Sequence, residues 1–291
     1  MTTGVRYETP ATVQEAAVLM AQFQATARIL AGGTDLLVQM RSGRQNPGVI
    51  VNVKHIDEMM TIREESDRFI VGAAMPCMKV INHPGFSRAF PGVVDGANLI
   101  GSVQVRGRAT MGGNLCNASP AADSVPAVIA AGGIAIVQGP QGSRRVAVED
   151  IPVGPGKTSL APGELLVAFE FAKLAQRTGT AYLRFTPRTE MDIAVVGAGV
   201  RITLDQEGVC TDAKVCLGAV AEKAIVVPEA AQALVGTRVD EAALENLAKA
   251  ASAAARPITD KRGTKEFRIK LAGVIARRAA LKALARAKEQ Q

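Results

Sequence analysis

Apolar residues recur at helical spacing over residues 13–23, which predicts a first helix burying Leu19, Met20 and Phe23. A short apolar run at 28–31 reads as a strand, residues 35–40 as the first turns of a helix, and 49–53 as a second, parallel strand. Together they form a small βαβ unit, whose loop after the first strand lies where α/β folds bind ligands. From Met59 the pattern changes to a hairpin, with strands at 61–63 and 68–72 around Glu65-Ser66-Asp67. Helices follow near 78–82 and 91–100, then strands at 134–137 and 145–148. Two more strands, at 165–171 and 181–185, flank the turn Gln176-Arg177-Thr178-Gly179. After Asp192 the chain is β-rich, at 193–204 and 209–220, and three helices close it over 228–235, 240–255 and 264–287. The class expected is α+β.

Two runs of small and hydroxyl residues interrupt this pattern: Ala31-Gly32-Gly33-Thr34-Asp35-Leu36 and Thr110-Met111-Gly112-Gly113-Asn114, the latter continuing to Ser119-Pro120-Ala121-Ala122-Asp123. Glycine lets a backbone approach a ligand and turn its N–H groups inward, and Thr, Ser and Asn add short hydrogen bonds. Alone, Gly32-Gly33 could be no more than a tight turn. Paired with the second run, it makes two cradles that suit a diphosphate, although neither is a Walker or G-x-G-x-x-G sequence. Asp35 would be repelled by phosphate oxygens, so its side chain is expected to cap the helix it begins. The second run is expected to end at a helix over 121–131, with Ser119 as cap, Pro120 at its first position and Asp123 in its first turn. There Asp123 could accept from a ligand hydroxyl or ring N–H, or act as a capping charge.

The two runs closely resemble those of the FAD-binding medium subunit of molybdenum hydroxylases, the family of carbon monoxide dehydrogenase and xanthine dehydrogenase. The likeness continues through Tyr7-Glu8-Thr9-Pro10, Gly154-Pro155-Gly156-Lys157-Thr158, Pro162-Gly163-Glu164-Leu165-Leu166, Arg188 with Asp192-Ile193-Ala194, and Thr259 to Thr264 before Phe267-Arg268. Met111 departs from it, standing where the family often has a β-branched residue.

The resemblance implies a two-part flavin-binding domain of the PCMH type, with subdomains at 1–56 and 57–174, followed by an α+β C-terminal domain at 175–291. FAD would be held by Ala31, Gly32, Gly33, Thr34, Asp35 and Leu36 on one side, and by Ile100, Thr110, Gly113, Asn114, Ser119 and Asp123 on the other. Leu166 would pack on the ring system, and Arg184 takes the place of a basic residue near the flavin. A cation there would favour the anionic reduced flavin; a surface strand charge is the other reading of Arg184. The implied role is a redox relay. Electrons would pass from a small subunit carrying 2Fe–2S clusters, through FAD here, to an external acceptor, while a large molybdenum-cofactor subunit oxidises the organic substrate. Such three-chain units commonly pair as dimers. The alternatives are a flavin-free docking or assembly subunit and a stand-alone FAD oxidase.

Composition adds limits. With 291 residues, 48% of them hydrophobic, the chain can bury a substantial core in two or three domains. No apolar run reaches bilayer length and Met1-Thr2-Thr3-Gly4 lacks a signal region, so a cytoplasmic protein is expected. The net charge of +7 is one segment: residues 256–291 hold eleven Lys/Arg against Asp260, Glu266 and Glu289, leaving the remainder at −1. With no Trp and two Tyr, this segment suits a solvated helix face or a docking surface better than a nucleic-acid site. Cys77, Cys116, Cys210 and Cys216 lack cluster or zinc spacing and read as buried thiols, Cys116 being the one that could react. No metal site is expected, and His55 and His83 read as ordinary surface or loop residues.

Overall fold

The computed structural model describes residues 4–289, so the reading at Met1–Thr3 and the last two residues of the basic segment lie outside the described residues. The chain opens with β1 (Arg6–Glu8), α1 (Val13–Phe23), β2 (Ala27–Leu30), α2 (Leu36–Arg41) and β3 (Val49–Asn52). All three strands are parallel, in the order β1-β3-β2. Helix α1 begins where periodicity predicts because Thr12 accepts the Glu15 N–H while the Glu15 carboxylate takes the Ala11 N–H, a reciprocal cap. Strand β1 has no sequence signal: three residues, none buried, at a sheet edge.

The second unit runs through α3 (Asp57–Met60), β4 (Ile62–Glu64), β5 (Arg68–Gly72), α4 (Cys77–Ile81), α5 (Pro84–Ala89), α6 (Pro91–Asn98), α7 (Val103–Arg106), α8 (Met111–Cys116) and α9 (Ser124–Ala130). It continues with β6 (Ile134–Gly139), β7 (Gly142–Ala147), β8 (Pro152–Gly154), β9 (Lys157–Thr158) and β10 (Leu165–Ala172). The hairpin β4–β5 forms as predicted and enters an antiparallel sheet of order β4-β5-β10-β6-β7. Phe69, Phe86, Phe90 and Phe171 lock its helices to this sheet, with ring centroids 5.2–5.9 Å apart. Strand β10 does not pair across the 176–179 turn with the strand that follows, because the latter starts a separate sheet.

That sheet comprises β11 (Thr178–Phe185), β12 (Val196–Leu204), β13 (Cys210–Gly218) and β14 (Ile225–Val226), antiparallel and in order. It is covered by α10 (Pro228–Gln232), α11 (Glu241–Ala254) and α12 (Lys265–Glu289). Helix α12 lies almost against the strands, since its buried side is mostly alanine and glycine and a Cβ at Gly179 would come 2.0 Å from the Ala283 carbonyl oxygen. Asp95 on α6 joins this unit to the second. It accepts from Lys282 Nζ at 2.9 Å, from Arg286 at 2.6 and 3.0 Å, and from the Tyr182 N–H at 3.1 Å. Among the described residues, five of the eleven cations after residue 255 pair with carboxylates, so the basic segment is in part internal wiring. Among the described residues, no helix is long and apolar enough to cross a membrane.

Candidate functional site

A cleft of about 590 Å³ opens between the three-stranded and five-stranded sheets. The first unit supplies residues 31–36 and Gln39; the second supplies Ile100, Thr110, Gly113, Asn114 and Leu166, with the loop 158–164 as a further wall. The two glycine runs thus face one space, of a size in the range of roughly 300–1,000 Å³ usual for organic ligands.

The upstream run leaves the carboxyl end of β2. A Cβ at Gly32 would fall 2.2 Å from the Arg108 carbonyl oxygen, so this glycine lets two loops touch, whereas Gly33 is required by its φ of +75°. Among the described residues, the N–H groups of Gly32, Gly33, Thr34, Asp35 and Leu36 meet no protein acceptor, a row of free donors along the cleft wall. Asp35 does not cap α2 as expected: it occupies the cap position in a helical conformation, from which its carboxyl cannot reach the following N–H groups. Although the residue keeps contact with solvent, partial burial in the wall raises its carboxyl above the usual carboxylate range.

The downstream run is a short helix, α8, where a loop was expected. Thr110 caps it by accepting the Gly113 N–H at 2.9 Å, a role the sequence had left unassigned. Its glycines differ in purpose. A Cβ at Gly112 would sit 2.4 Å from the Ala73 carbonyl oxygen, but one at Gly113 would meet only Thr110 Oγ1, at 3.0 Å, and otherwise open cleft. Asn114 is held by Ser124, whose hydroxyl donates to Oδ1 at 2.7 Å. Met111 is buried, its departure from the family pattern absorbed in packing.

Three expected contacts stand apart from the cleft-lining residues. Ser119 is exposed in a turn, where the Ala122 N–H donates to its carbonyl and the Ala121 N–H to its hydroxyl at 3.3 Å; the helix therefore starts at Ser124, three residues later than expected. Asp123 is buried, and both its oxygens are occupied: Tyr182 donates to one at 3.0 Å and Arg184 to the other at 2.5 Å. With only 4% of its side chain exposed, Arg184 is no surface strand charge. Burial pushes the Asp123 carboxyl up to about 6 against the pull of Arg184 and Tyr182, and raises the Tyr182 hydroxyl well above its ordinary value.

Sequence reasoning missed Gln24, Arg28, Gln39, Asn117 and the stretch 160–164 as wall residues. Gln39 donates to Asn117 Oδ1 at 3.1 Å, bridging the two units. Glu164 takes two bonds from Arg144, at 2.6 and 2.7 Å, and the Ala161 N–H, which fixes its loop. Only Pro162-Gly163-Glu164 carried a signal, within the family likeness. Cys116 lines the cleft, and burial pushes its thiol up to about 12. His83 caps α5 through Nδ1. Among the described residues, no group of three His, Cys, Asp or Glu could hold a metal.

The donor set fits a diphosphate-containing ligand: free backbone N–H groups on one wall, an uncrowded glycine on the other, and an apolar floor at Ile100 and Leu166. Comparison with known proteins agrees. The family described as the FAD binding domain in molybdopterin dehydrogenase matches residues 3–172, and the CO dehydrogenase flavoprotein C-terminal domain matches 181–283. The carbon monoxide dehydrogenase medium chain of Afipia carboxidovorans is 34% identical over 97% of both chains. The putative xanthine dehydrogenase FAD-binding subunit of Escherichia coli is 29% identical over 97% of this chain and 96% of that one. Among solved structures, reconstituted CO dehydrogenase from Oligotropha carboxidovorans superposes with a TM-score of 0.93 at 32% identity, covering 97% of this chain and 98% of that one. The chain belongs to the FAD-binding medium subunits of molybdenum hydroxylases, the family of the CO dehydrogenase medium chains and the xanthine dehydrogenase FAD subunits.

Proposed function

We propose that the chain is the electron-relay subunit of a three-chain molybdenum hydroxylase, receiving electrons from the 2Fe–2S clusters of a small subunit and delivering them to an external acceptor. A large molybdenum-cofactor subunit would oxidise the organic substrate, and two such units would pair. The observation that carries this reading is the one cleft faced by both glycine runs, with a row of free backbone N–H groups along its wall.

FAD, when bound, supplies the one- and two-electron chemistry. The protein's part is to bind and orient it. The free N–H groups from Gly32 to Leu36 would take phosphate oxygens, and the backbone at Gly113 would lie against the ligand from the other side. Thr110 and Asn114 are held still by Gly113 and Ser124, so the downstream wall is preorganised. Leu166 and Ile100 exclude water from the apolar end. Asp123 and Arg184 act from behind the wall as a buried charged pair tied to Tyr182.

The test is purification through a tag on this chain, with a visible spectrum, chromatography of the acid-released cofactor, and sizing and metal analysis of co-purifying chains. FAD with two partners, one containing iron and sulfide and one molybdenum, is the expected result. A flavin-bearing lone chain that reduces dioxygen directly would replace the relay with an oxidase, and a colourless chain that takes up no FAD would leave a docking subunit.

A further inference from the structure

Helix α2 is mostly apolar, with Leu36, Leu37, Val38 and Met40 among its six residues, yet none of the six is buried. It links two parallel strands of the small sheet, and its inner side lines the cleft through Leu36 and Gln39. Its outer stripe carries Leu37, Val38 and Arg41, positions that neighbour one another on a helix, with Arg44 just beyond. Val38 is 61% exposed and Leu37 45%. An apolar helix that covers nothing within its own chain marks a surface covered by something else.

Charge identifies the cover. No Asp or Glu occurs from Leu36 to Ile56, while Arg41, Arg44 and Lys54 do. Among the described residues, neither Arg41 nor Arg44 makes an ion pair, and Lys54 bonds only to the amide oxygen of Asn52, at 2.6 Å. The basic C-terminal segment offers a contrast, since five of its eleven cations pair with carboxylates of this chain. We propose that the outer face of α2 and its following loop dock a partner polypeptide of the complex, whose contact surface is apolar at its centre and acidic at its rim. This rests on the multi-subunit reading above. Such a rim would be recognised by Arg41 and Arg44, and would steer association in a salt-dependent way.

The experiment compares complexes isolated through a tag on the wild-type chain and on the double variant Val38→Asp, Arg41→Glu, with the accompanying chains identified by mass spectrometry and by iron and molybdenum content. Both side chains are exposed, so the variant should fold and keep its FAD, read from its visible spectrum and melting curve. The expected result is a drop of about tenfold or more in co-purified iron or molybdenum chain, and a wild-type complex that loosens as salt is raised. A benzoylphenylalanine placed at position 38 should cross-link to an acidic segment of that same chain. If the variant retains both partners in wild-type amounts, or if the cross-link joins two copies of this chain, the docking assignment is overturned with the relay reading intact. If the wild-type chain brings down no partner at all, both fall.

Discussion

Replacing Gly113 with alanine separates the two jobs that glycine performs around the cleft. The residue is the third of α8, its N–H is held by Thr110 Oγ1, and an added methyl would meet only that oxygen, at 3.0 Å. Alanine gains about 0.5–1 kcal/mol over glycine in a helix, and the close contact gives back a few tenths. The flavin-free chain should therefore melt within about 3 °C of wild type, since a domain of this size moves roughly 2–4 °C per kcal/mol. Binding should change far more, because the methyl stands where the ligand meets the backbone. Loss of one such contact costs about 1–3 kcal/mol, or roughly 5- to 150-fold in Kd. The assay strips FAD, then follows its return by fluorescence quenching alongside a melting curve. Gly112→Ala is the control, since its methyl would fall 2.4 Å from the Ala73 carbonyl oxygen, so overpacking should destabilise the apo chain by about 1–3 kcal/mol. Wild-type FAD affinity in Gly113→Ala, or an apo chain destabilised as badly as the Gly112 control, would refute the division of roles.

Two further outcomes follow from the buried groups. Asp123→Asn keeps one acceptor oxygen for two buried donors, so Tyr182 or Arg184 loses its bond at a cost of about 1–3 kcal/mol, and Arg184→Met should cost less, since burial already favours the protonated carboxyl. With its carboxyl at about 6 in the fold against an ordinary 3.8, Asp123 binds its proton more tightly when folded, so its contribution to stability is present below about pH 4 and lost as pH rises through 6. Denaturant titrations between pH 4 and 7 should show that fall in wild type and its absence in Asp123→Asn. Cys116, its thiol pushed up to about 12, should resist alkylation at pH 7.5 in the folded chain and react only after unfolding, as read by mass spectrometry.

Long periodic segments were legible in the sequence. Helix α1 ends where its pattern ends, the β4–β5 hairpin forms around its predicted turn, and the parallel β2 and β3 are those of the expected βαβ unit. Short elements were not: β1 is a three-residue edge strand, and α5 and α7 are helices of six and four residues set by His83 and Ser102 as caps rather than by any apolar repeat. Composition placed the two glycine runs together but could not divide their labour, which depends on what each missing Cβ would strike. Ser119 looked like a helix cap because a Ser-Pro pair serves a turn equally well. Asp123 and Arg184 were expected at the ligand, and the sequence held no sign of their mutual pairing, since 61 residues separate them and the contact exists only once the second and third units meet.

The anchoring of Asp95 sets a timetable for the chain's assembly. Its partners Lys282 and Arg286 lie 187 and 191 residues downstream. A ribosome adding about 5–20 residues per second makes that distance in roughly 10–40 s, and the second unit, which closes with β10 at Ala172, is complete before the last helix is made. Throughout that interval Asp95 is a carboxylate without its cations, on a surface that later becomes interior. The nascent flavin domain is therefore a species with its own exposed face until the last helix arrives.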